Sequence, residues 1–273
     1  MTRLSFIGQP QIEIGQHVSA SVFGFTIYVD TLISIALVLL VIAGLVFWAR
    51  RRGITEGAPT GVQNMLEMAV EFVGGLIGDT IGERGYRVAP LLVTMFLYII
   101  VANWLGLILL PGIHFISPTS DLNSTLALAL VTFILAQYYA FRNRGFIGYL
   151  KHYFEPIPFL APINVIEELS KPVTLSFRLF GNILAGEVML LVLAFFLATF
   201  LQGVTQIVQG TVSHVLVGLG AAVLLAVDFI FSVGWLFYSL AIGAIQAFIF
   251  TMLTIAYFGQ AMEHHEPGKP TVT

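Results

Sequence analysis

The sequence predicts an all-α polytopic membrane protein with five membrane helices, and its composition and patterning support this fold class. Hydrophobic residues make up 58% of the 273 positions, whereas Asp, Glu, Lys and Arg together make up 10%. Because a soluble globular chain carries about 25% charged residues, this chain lacks the polar coat that water requires. The apolar residues form long runs that can cross a hydrocarbon core of about 30 Å, and basic residues cluster between these runs. The solvent of this chain is therefore lipid.

The predicted elements follow one another as a single membrane domain over residues 1–273. The first segment lacks the compact apolar stretch and the small-residue cleavage site of a signal peptide, so we expect the first membrane helix to be retained. The elements are an outer N-terminal segment (1–30), helix 1 (31–48), an amphipathic helix (60–80), helix 2 (90–110), helix 3 (122–141), helix 4 (164–201), helix 5 (212–258) and a cytoplasmic tail (259–273).

The stretch 60–80 differs in kind from the membrane runs. Its apolar residues recur at helical spacing and its polar residues take the other side, which is typical of an amphipathic helix. Such a helix lies either on the lipid surface or against a partner, and the pattern favours neither. The apolar positions are Val62, Met65, Leu66, Ala69, Val73, Leu76 and Ile77, and the polar positions are Gln63, Asn64, Glu67 and Glu71.

The last apolar run, 212–258, contains 47 residues and a single charge, Asp228. An unbroken helix of this length would measure about 70 Å, more than twice the hydrocarbon thickness. Hydropathy alone would divide the run into two spans near residues 228–234. No proline or turn cluster supports that division, and a lipid-exposed loop at that depth is prohibitively costly. We therefore expect one strongly tilted helix that forms a long hairpin with helix 4.

The basic residues predict the orientation of the chain. With five spans and the N-terminus outside, the basic groups at 50–52, 84–87, 142–151 and Lys269 all fall on the cytoplasmic side. The two loops then assigned to the outer side contain no Lys or Arg, as the positive-inside rule requires. With a net charge of −3 the chain has no basic footprint for nucleic acid, so we expect no nucleic-acid partner.

Arg178 lies in an apolar stretch of helix 4 and has no acidic residue within one turn. An arginine at the middle of a membrane helix costs about 2.5–3.5 kcal/mol on insertion scales, and unlike lysine it cannot lose its proton to avoid that cost. One interpretation is that the side chain extends from near the helix start toward the cytoplasm, since Lys171 is seven residues away. The other is a fixed positive charge that meets a carboxylate supplied by another chain.

Two further helix faces carry polar residues that suit proton movement. At about 100° per residue, Asn182 lies about 40° from Arg178, whereas Glu187 lies on the opposite face of the same helix. Intramembrane acids such as Glu187 and Asp228 are functional by default. Small hydroxyls and an amide can hold a file of water, although lone serines commonly bond to carbonyls of their own helix instead. The last helix carries such a polar stripe, formed by Asp228, Ser232, Trp235, Ser239 and Gln246.

Other candidate sites carry less information. His214 opens the last helix on the outer side, where it either tunes proton access or is an ordinary interfacial histidine. The segment 118–121 is expected to be a turn whose Asp121 caps the next helix. The sequence contains no cysteine and no phosphate-binding, zinc-hydrolase or serine-hydrolase motif. We therefore expect no catalytic residue, no metal and no cofactor.

One run of helix 4 combines Ser170-Lys171-Pro172, Leu175, Arg178-Leu179-Phe180-Gly181-Asn182 and Ala185-Gly186-Glu187. Shorter pieces occur in order around it: Pro59 with Gln63-Asn64 and Glu67, Asn103-Trp104-Leu105-Gly106, Pro118-Thr119-Ser120-Asp121, and Gln246-Ala247-Phe248-Ile249-Phe250 with Leu253-Thr254. Together, over roughly residues 59 to 259, these motifs resemble subunit a of the rotary F-type ATP synthase.

The resemblance implies a non-catalytic, ion-translocating subunit that forms two offset half-channels against a rotating ring of c subunits. Arg178 matches the essential arginine of that family, which holds a passing carboxylate ionised and separates the half-channels. Asn182, Glu187 and Gln246 match polar residues of its proton path from the outer side. The resemblance further implies contact with peripheral-stalk b subunits and with lipid, within a multi-subunit ATP synthase of the bacterial plasma membrane.

The chain departs from the family pattern at Ser239, where some relatives have a histidine or an acid. We therefore expect water held by Ser239, with Asp228 on the same stripe, in place of a direct side-chain relay to Glu187. Two other classes stay open on the residues alone. A secondary transporter would suit the buried charges, although no internal repeat is evident. An intramembrane enzyme would need a nucleophile–base or metal pair, and none has the required spacing.

Overall fold

The computed structural model describes residues 19–22, 25–51, 61–107, 117–154, 157–208 and 214–262. The predicted tail beyond residue 262 and the first 18 residues of the predicted outer segment lie outside these ranges. In chain order the helices are α1 (Val29–Arg51), α2 (Val62–Thr80), α3 (Ala89–Gly106), α4 (Leu122–Phe154), α5 (Ala161–Val208) and α6 (His214–Met262). Short 3₁₀ turns occupy Gly82–Arg87, Pro118–Ser120 and Pro158–Leu160.

Among the described residues, five helices are long and apolar enough to span a membrane, which confirms the predicted fold class. By length and composition the spans are Val29–Arg51, Ala89–Gly106, Leu122–Lys151, Pro158–Thr199 and Ala222–Met262. The last helix, α6, continues for 49 residues. At 1.5 Å per residue it is about 74 Å long. The prediction of one long helix instead of two shorter spans is therefore confirmed.

A two-stranded hairpin precedes α1 and was not expected from the sequence. Strand β1 (Ser19–Val22) pairs antiparallel with β2 (Phe25–Tyr28), and Val22 lies opposite Phe25. The strands are four residues each, too short for an alternating pattern to stand out from the polar segment around them.

The fourth helix contains one backbone break. Gly145 has φ 67° and ψ 172°, a conformation that the absence of a Cβ atom permits. The basic residues Arg142 and Arg144 directly precede it. The regular helix therefore breaks at this glycine, and a shorter helical segment, rich in aromatic residues, continues to Phe154.

The chain divides into two compact units. The first unit comprises residues 1–30 and 184–239, and the second comprises residues 31–183 and 240–273. The second unit holds the hydrophobic core, to which α2 through α6 all contribute. Its fully buried members include Val73 and Ile77 from α2, Leu92 and Ile99 from α3, Ala129 from α4, Leu179 from α5, and Phe250, Ile255 and Phe258 from α6.

The amphipathic helix α2 packs into this core with the second half of its apolar face. Val73 and Ile77 are 0% exposed, and the Phe72 ring lies 5.6 Å from that of Phe96. In the first half, Met65 remains 47% exposed. The apolar face therefore has two surroundings: the chain's own helices bury its C-terminal part, and its N-terminal part stays open to lipid or to a partner.

Candidate functional site

Arg178 lies on the exposed, apolar face of α5. The neighbouring residues Val173 and Phe177 are 46% and 55% exposed, and the Arg178 side chain is exposed with them. Within the described part of the chain, the guanidinium has no hydrogen bond and no carboxylate within ion-pairing distance. The charge is therefore presented outward, on a surface that otherwise suits lipid or another membrane helix.

Contacts on the opposite side of α5 set the direction in which Arg178 points. Leu175 and Leu179 are buried in the core, and Ser176 is buried between them. The hydroxyl of Ser176 lies 3.1 Å from that of Thr125 on α4, within hydrogen-bond distance. Because these side chains anchor one face of the helix, Arg178 is held on the other face.

A polar cluster forms around Lys171 and Glu168, two to three turns before Arg178. The Lys171 Nζ donates to Glu168 Oε2 at 2.6 Å and to Gln260 Oε1 at 3.1 Å. The Gln137 amide donates to the other Glu168 oxygen at 2.7 Å, and the Tyr149 hydroxyl donates to Gln137 Oε1 at 3.0 Å. A cavity of about 40 Å³ lies among these side chains. The cluster was not predicted, because its members come from three separate helices.

Two tyrosines extend this cluster. Tyr257, on α6, lies under the Lys171 ammonium at 5.4 Å and is close enough to Arg178 for the two to interact electrostatically. Tyr153, at the end of α4, lies 3.0 Å from the Tyr149 hydroxyl. Burial, together with this hydrogen bond, raises the pKa of Tyr153 above its ordinary value, so its hydroxyl stays neutral at physiological pH.

Asn182 and Gln246 are the other predicted site residues in the second unit. Asn182 lies one turn after Arg178 on α5 and is half-buried. Gln246 is 4% exposed, and its Nε2 has no hydrogen-bond partner among the described residues. Leaving a buried donor unsatisfied costs about 1–3 kcal/mol. This donor is therefore available to a water molecule or to a group of another chain.

Glu187, Asp228 and Ser239 belong to the first unit. There α5 and α6 approach each other at Gly186, whose carbonyl accepts a hydrogen bond from Trp235 Nε1 at 3.4 Å. A Cβ atom built on Gly186 would lie 3.8 Å from the Ser239 hydroxyl. Ser239 is therefore beside the glycine that precedes Glu187.

Helix α6 also carries the predicted site residues Ser239, Asp228 and His214. The buried Ser239 hydroxyl has no hydrogen-bond partner in the described part of the chain, so the alternative of bonding to its own helix does not apply to it. Asp228 is half-buried, eleven residues earlier on α6. His214 is the first residue of this helix, and its side chain lies outside what the structure describes.

The Asn103-Trp104 motif connects α3 to α6. The buried Asn103 donates from Nδ2 to the Gly243 carbonyl at 3.1 Å, and its Oδ1 accepts from Thr119 Oγ1 at 2.8 Å. The Trp104 Nε1 donates to the Leu240 carbonyl at 3.1 Å. A Cβ atom on Gly243 would come within 3.1 Å of the Asn103 Cβ, so the helices approach closely here. These contacts position α6 one turn before Gln246.

Asp121 caps α4, as its place before an apolar run predicted. Its Oδ1 accepts from the Asn123 N–H at 2.9 Å, the geometry of an N-cap. Its Oδ2 accepts from the Thr31 hydroxyl on α1 at 3.1 Å. The capping residue thus also holds α1 to α4.

Comparison with known protein sequences identifies the family of the chain. The sequence model of the family described as ATP synthase A chain matches residues 31–259. The chain is 35% identical to the ATP synthase subunit a of Acidothermus cellulolyticus over 255 residues, which cover 92% of this chain and 83% of the relative. It is 35% identical to the ATP synthase subunit a of Gloeobacter violaceus over 261 residues, which cover 93% and 92%. The chain therefore belongs to the ATP synthase subunit a family, and is a non-catalytic, proton-translocating membrane subunit.

Proposed function

We propose that this chain forms two half-channels against a rotating ring of c subunits and that Arg178 separates them. The observation that carries the proposal is the position of Arg178, a permanent charge on an exposed apolar face without an acidic partner among the described residues. A charge in that position is costly in lipid, and a carboxylate on the facing subunit would offset the cost.

The chemistry of the guanidinium suits this role. A nearby positive charge favours the ionised form of a carboxylate, so a ring carboxylate that passes Arg178 gives up its proton before it does so. The guanidinium itself keeps its proton at any physiological pH and cannot relay one. Protons therefore cannot cross directly from one half-channel to the other, and their transfer is coupled to rotation of the ring.

The outer half-channel would use polar groups carried by α5 and α6. The Ser239 hydroxyl and the Gln246 amide are buried polar atoms without a hydrogen-bond partner in the described ranges, and such atoms can hold water. We assign Glu187 as the deeper acid of this path, with Asn182 beside Arg178. Asp228 and His214, which lie earlier on α6, would serve nearer the outer surface.

The inner half-channel would open at the cluster around Lys171 and Glu168. Its cavity of about 40 Å³ has polar as well as apolar side chains in its lining, and Tyr257 interacts electrostatically with both Glu168 and Arg178. Seven residues separate Lys171 from Arg178 on α5, a rise of about 10.5 Å. A short water chain would bridge that distance.

The orientation follows from the basic residues. We place the N-terminus outside and the C-terminus in the cytoplasm of a bacterial plasma membrane, because the basic loops then all face inward. Both relatives come from bacteria. The partners in this proposal are the c-subunit ring on the Arg178 face, the b subunits of the peripheral stalk, and lipid, with the chain acting as one membrane domain.

Replacement of the arginine tests the proposal. Arg178→Ala should abolish ATP-driven proton pumping by inverted vesicles while the complex still assembles, because no fixed charge then keeps the carboxylates ionised. Thr174→Ala is the matched control, since Thr174 is exposed one turn away on the same helix. Pumping close to wild type in Arg178→Ala would refute the role of Arg178, as would an equal loss in the control.

A further inference from the structure

A second charged cavity lies away from Arg178, between the turn that follows α2, the part of α4 just before its break at Gly145, and the end of α6. It has a volume of about 260 Å³ and is lined by Arg84, Arg87, Tyr139, Asn143 and Met262. None of these residues takes part in the proton path proposed above. Any ligand of this cavity would therefore be separate from the groups of the proton path.

Both arginines point to the same side of their turn. They lie three residues apart in the 3₁₀ helix Gly82–Arg87, and side chains at this spacing eclipse one another in a 3₁₀ helix. Both are exposed, and neither has a carboxylate within ion-pairing distance in the described ranges. Two neighbouring guanidiniums repel each other, so the site favours an anion that both can contact.

The backbone that carries the arginines is held in place. Gly82 has φ 73°, and the buried Gly85 packs so closely that a Cβ atom would lie 2.5 Å from Ile77 Cγ2. The Val88 N–H closes the turn by donating to the Gly85 carbonyl at 3.0 Å. Because this turn is ordered by the core, binding a ligand costs little additional ordering of the backbone.

The place of the cavity along the spans indicates a lipid headgroup. Arg87 lies two residues before the first residue of the α3 span, and Met262 is the last residue of the α6 span. Asn143 lies next to the basic end of the apolar part of α4, where its Nδ2 donates to the Ala261 carbonyl at 3.3 Å. The Tyr139 ring stands edge-on to Phe258 at 5.8 Å and forms an apolar wall. Basic pockets between membrane helices at this level suit phospholipid headgroups.

We propose that this cavity binds the phosphate of an anionic glycerophospholipid, with Arg84 and Arg87 sharing its negative charge. The glycerol and the start of the acyl chains lie against Tyr139 and Met262. A soluble phosphate ion would use the same two guanidiniums but would gain nothing from the apolar wall.

The test uses the whole purified complex, stripped of lipid in a neutral detergent and titrated with phosphatidylglycerol that carries a fluorophore on one acyl chain. Arg84→Gln combined with Arg87→Gln should weaken binding about thirtyfold, since each basic residue contributes about 1 kcal/mol toward an anionic lipid. The matched control is Arg50→Gln combined with Arg51→Gln, which removes the same charge from exposed residues at the end of α1. It should change the affinity less than about twofold.

Competition and crosslinking complete the experiment. Unlabelled phosphatidylglycerol should displace the probe, whereas phosphatidylcholine and excess inorganic phosphate should not. In wild type, a photoactivatable phosphatidylglycerol should label peptides that contain 82–88 or 139–143, a result that does not depend on how the variants fold. Equal weakening in both double variants, displacement by inorganic phosphate, or labelling confined to other segments would each overturn the proposal. So would the absence of probe binding to the wild-type complex.

Discussion

The hydrogen bond between Asn103 and Thr119 offers a sharp test of how α6 is held in position. Asn103 is 1% exposed and makes two hydrogen bonds. It donates to the Gly243 carbonyl on α6 and accepts from the Thr119 hydroxyl in the turn before α4. Asn103→Leu removes both contacts and keeps the number and branching of the side-chain heavy atoms. Thr119→Val removes the shared one and also the bond between the Thr119 and Ser117 hydroxyls, which lie 2.7 Å apart. The double variant therefore loses the shared bond once, not twice.

Hydrogen bonds between membrane helices contribute about 0.6 kcal/mol each on average. Asn103→Leu and Thr119→Val should thus each lose about 1.2 kcal/mol, which corresponds to a factor of about eight in a rate or equilibrium. The double variant loses three bonds, about 1.8 kcal/mol, and should reach a factor of about twenty. Independent effects would multiply to a factor of about sixty.

The assay is the rate at which heat inactivates proton pumping by the purified, reconstituted complex. Removing a hydrogen bond that is already broken in the transition state for unfolding raises the inactivation rate by the factor that corresponds to the full free energy of that bond. Thr94→Val is the control, since the Thr94 hydroxyl donates only to the Pro90 carbonyl of its own helix, at 2.7 Å. Each rate is compared with that of the unmodified complex. A double variant whose factor equals the product of the two single-variant factors would show that the residues are not coupled, and would refute the reasoning.

Three further predictions concern the proton path. Arg178→Lys should also lose most pumping in inverted vesicles, because an ammonium lacks the planar fork and can lose its proton; near-normal pumping would contradict this. Glu187→Gln should slow ATP synthesis severely and Asp228→Asn partially, at fixed proton-motive force in vesicles; unchanged synthesis in either variant would remove that residue from the path. Ser239→His should be tolerated and should partly restore synthesis in Asp228→Asn, and a severe loss in the single Ser239→His variant would argue against water at that position.

Features that depend on local sequence were predictable. The five spans follow from long apolar runs, and the continuity of α6 follows from the absence of proline and turn residues near Asp228. The cap at Asp121 has a signal of its own, an acid directly before an apolar helical run. In each case the relevant interactions lie within a few residues, so spacing alone expresses them.

Features that depend on contacts between distant helices were not predictable. Asn103 and Gly243 are 140 residues apart, and Gln137 and Glu168 are 31 apart, so no periodicity connects them. A search for polar residues on otherwise apolar spans would have found Gln137 but not its partner. Ser239 shows the same limit, since the sequence could not distinguish bonding within its own helix from a free hydroxyl.

The exposed position of Arg178 also bears on how the complex is made in the cell. A lone guanidinium facing hydrocarbon costs about 2.5–3.5 kcal/mol or more, and it cannot lose its proton to escape that cost. In the proposed complex, a carboxylate of the c ring offsets this cost when the two surfaces meet. A newly inserted chain is therefore at its least stable before the ring arrives, which is also when membrane proteases can reach it. Synthesis of this chain and of the c subunit at matched rates would shorten that interval. The Arg178 charge, proposed to serve transport, would also destabilise copies of the chain that remain unassembled.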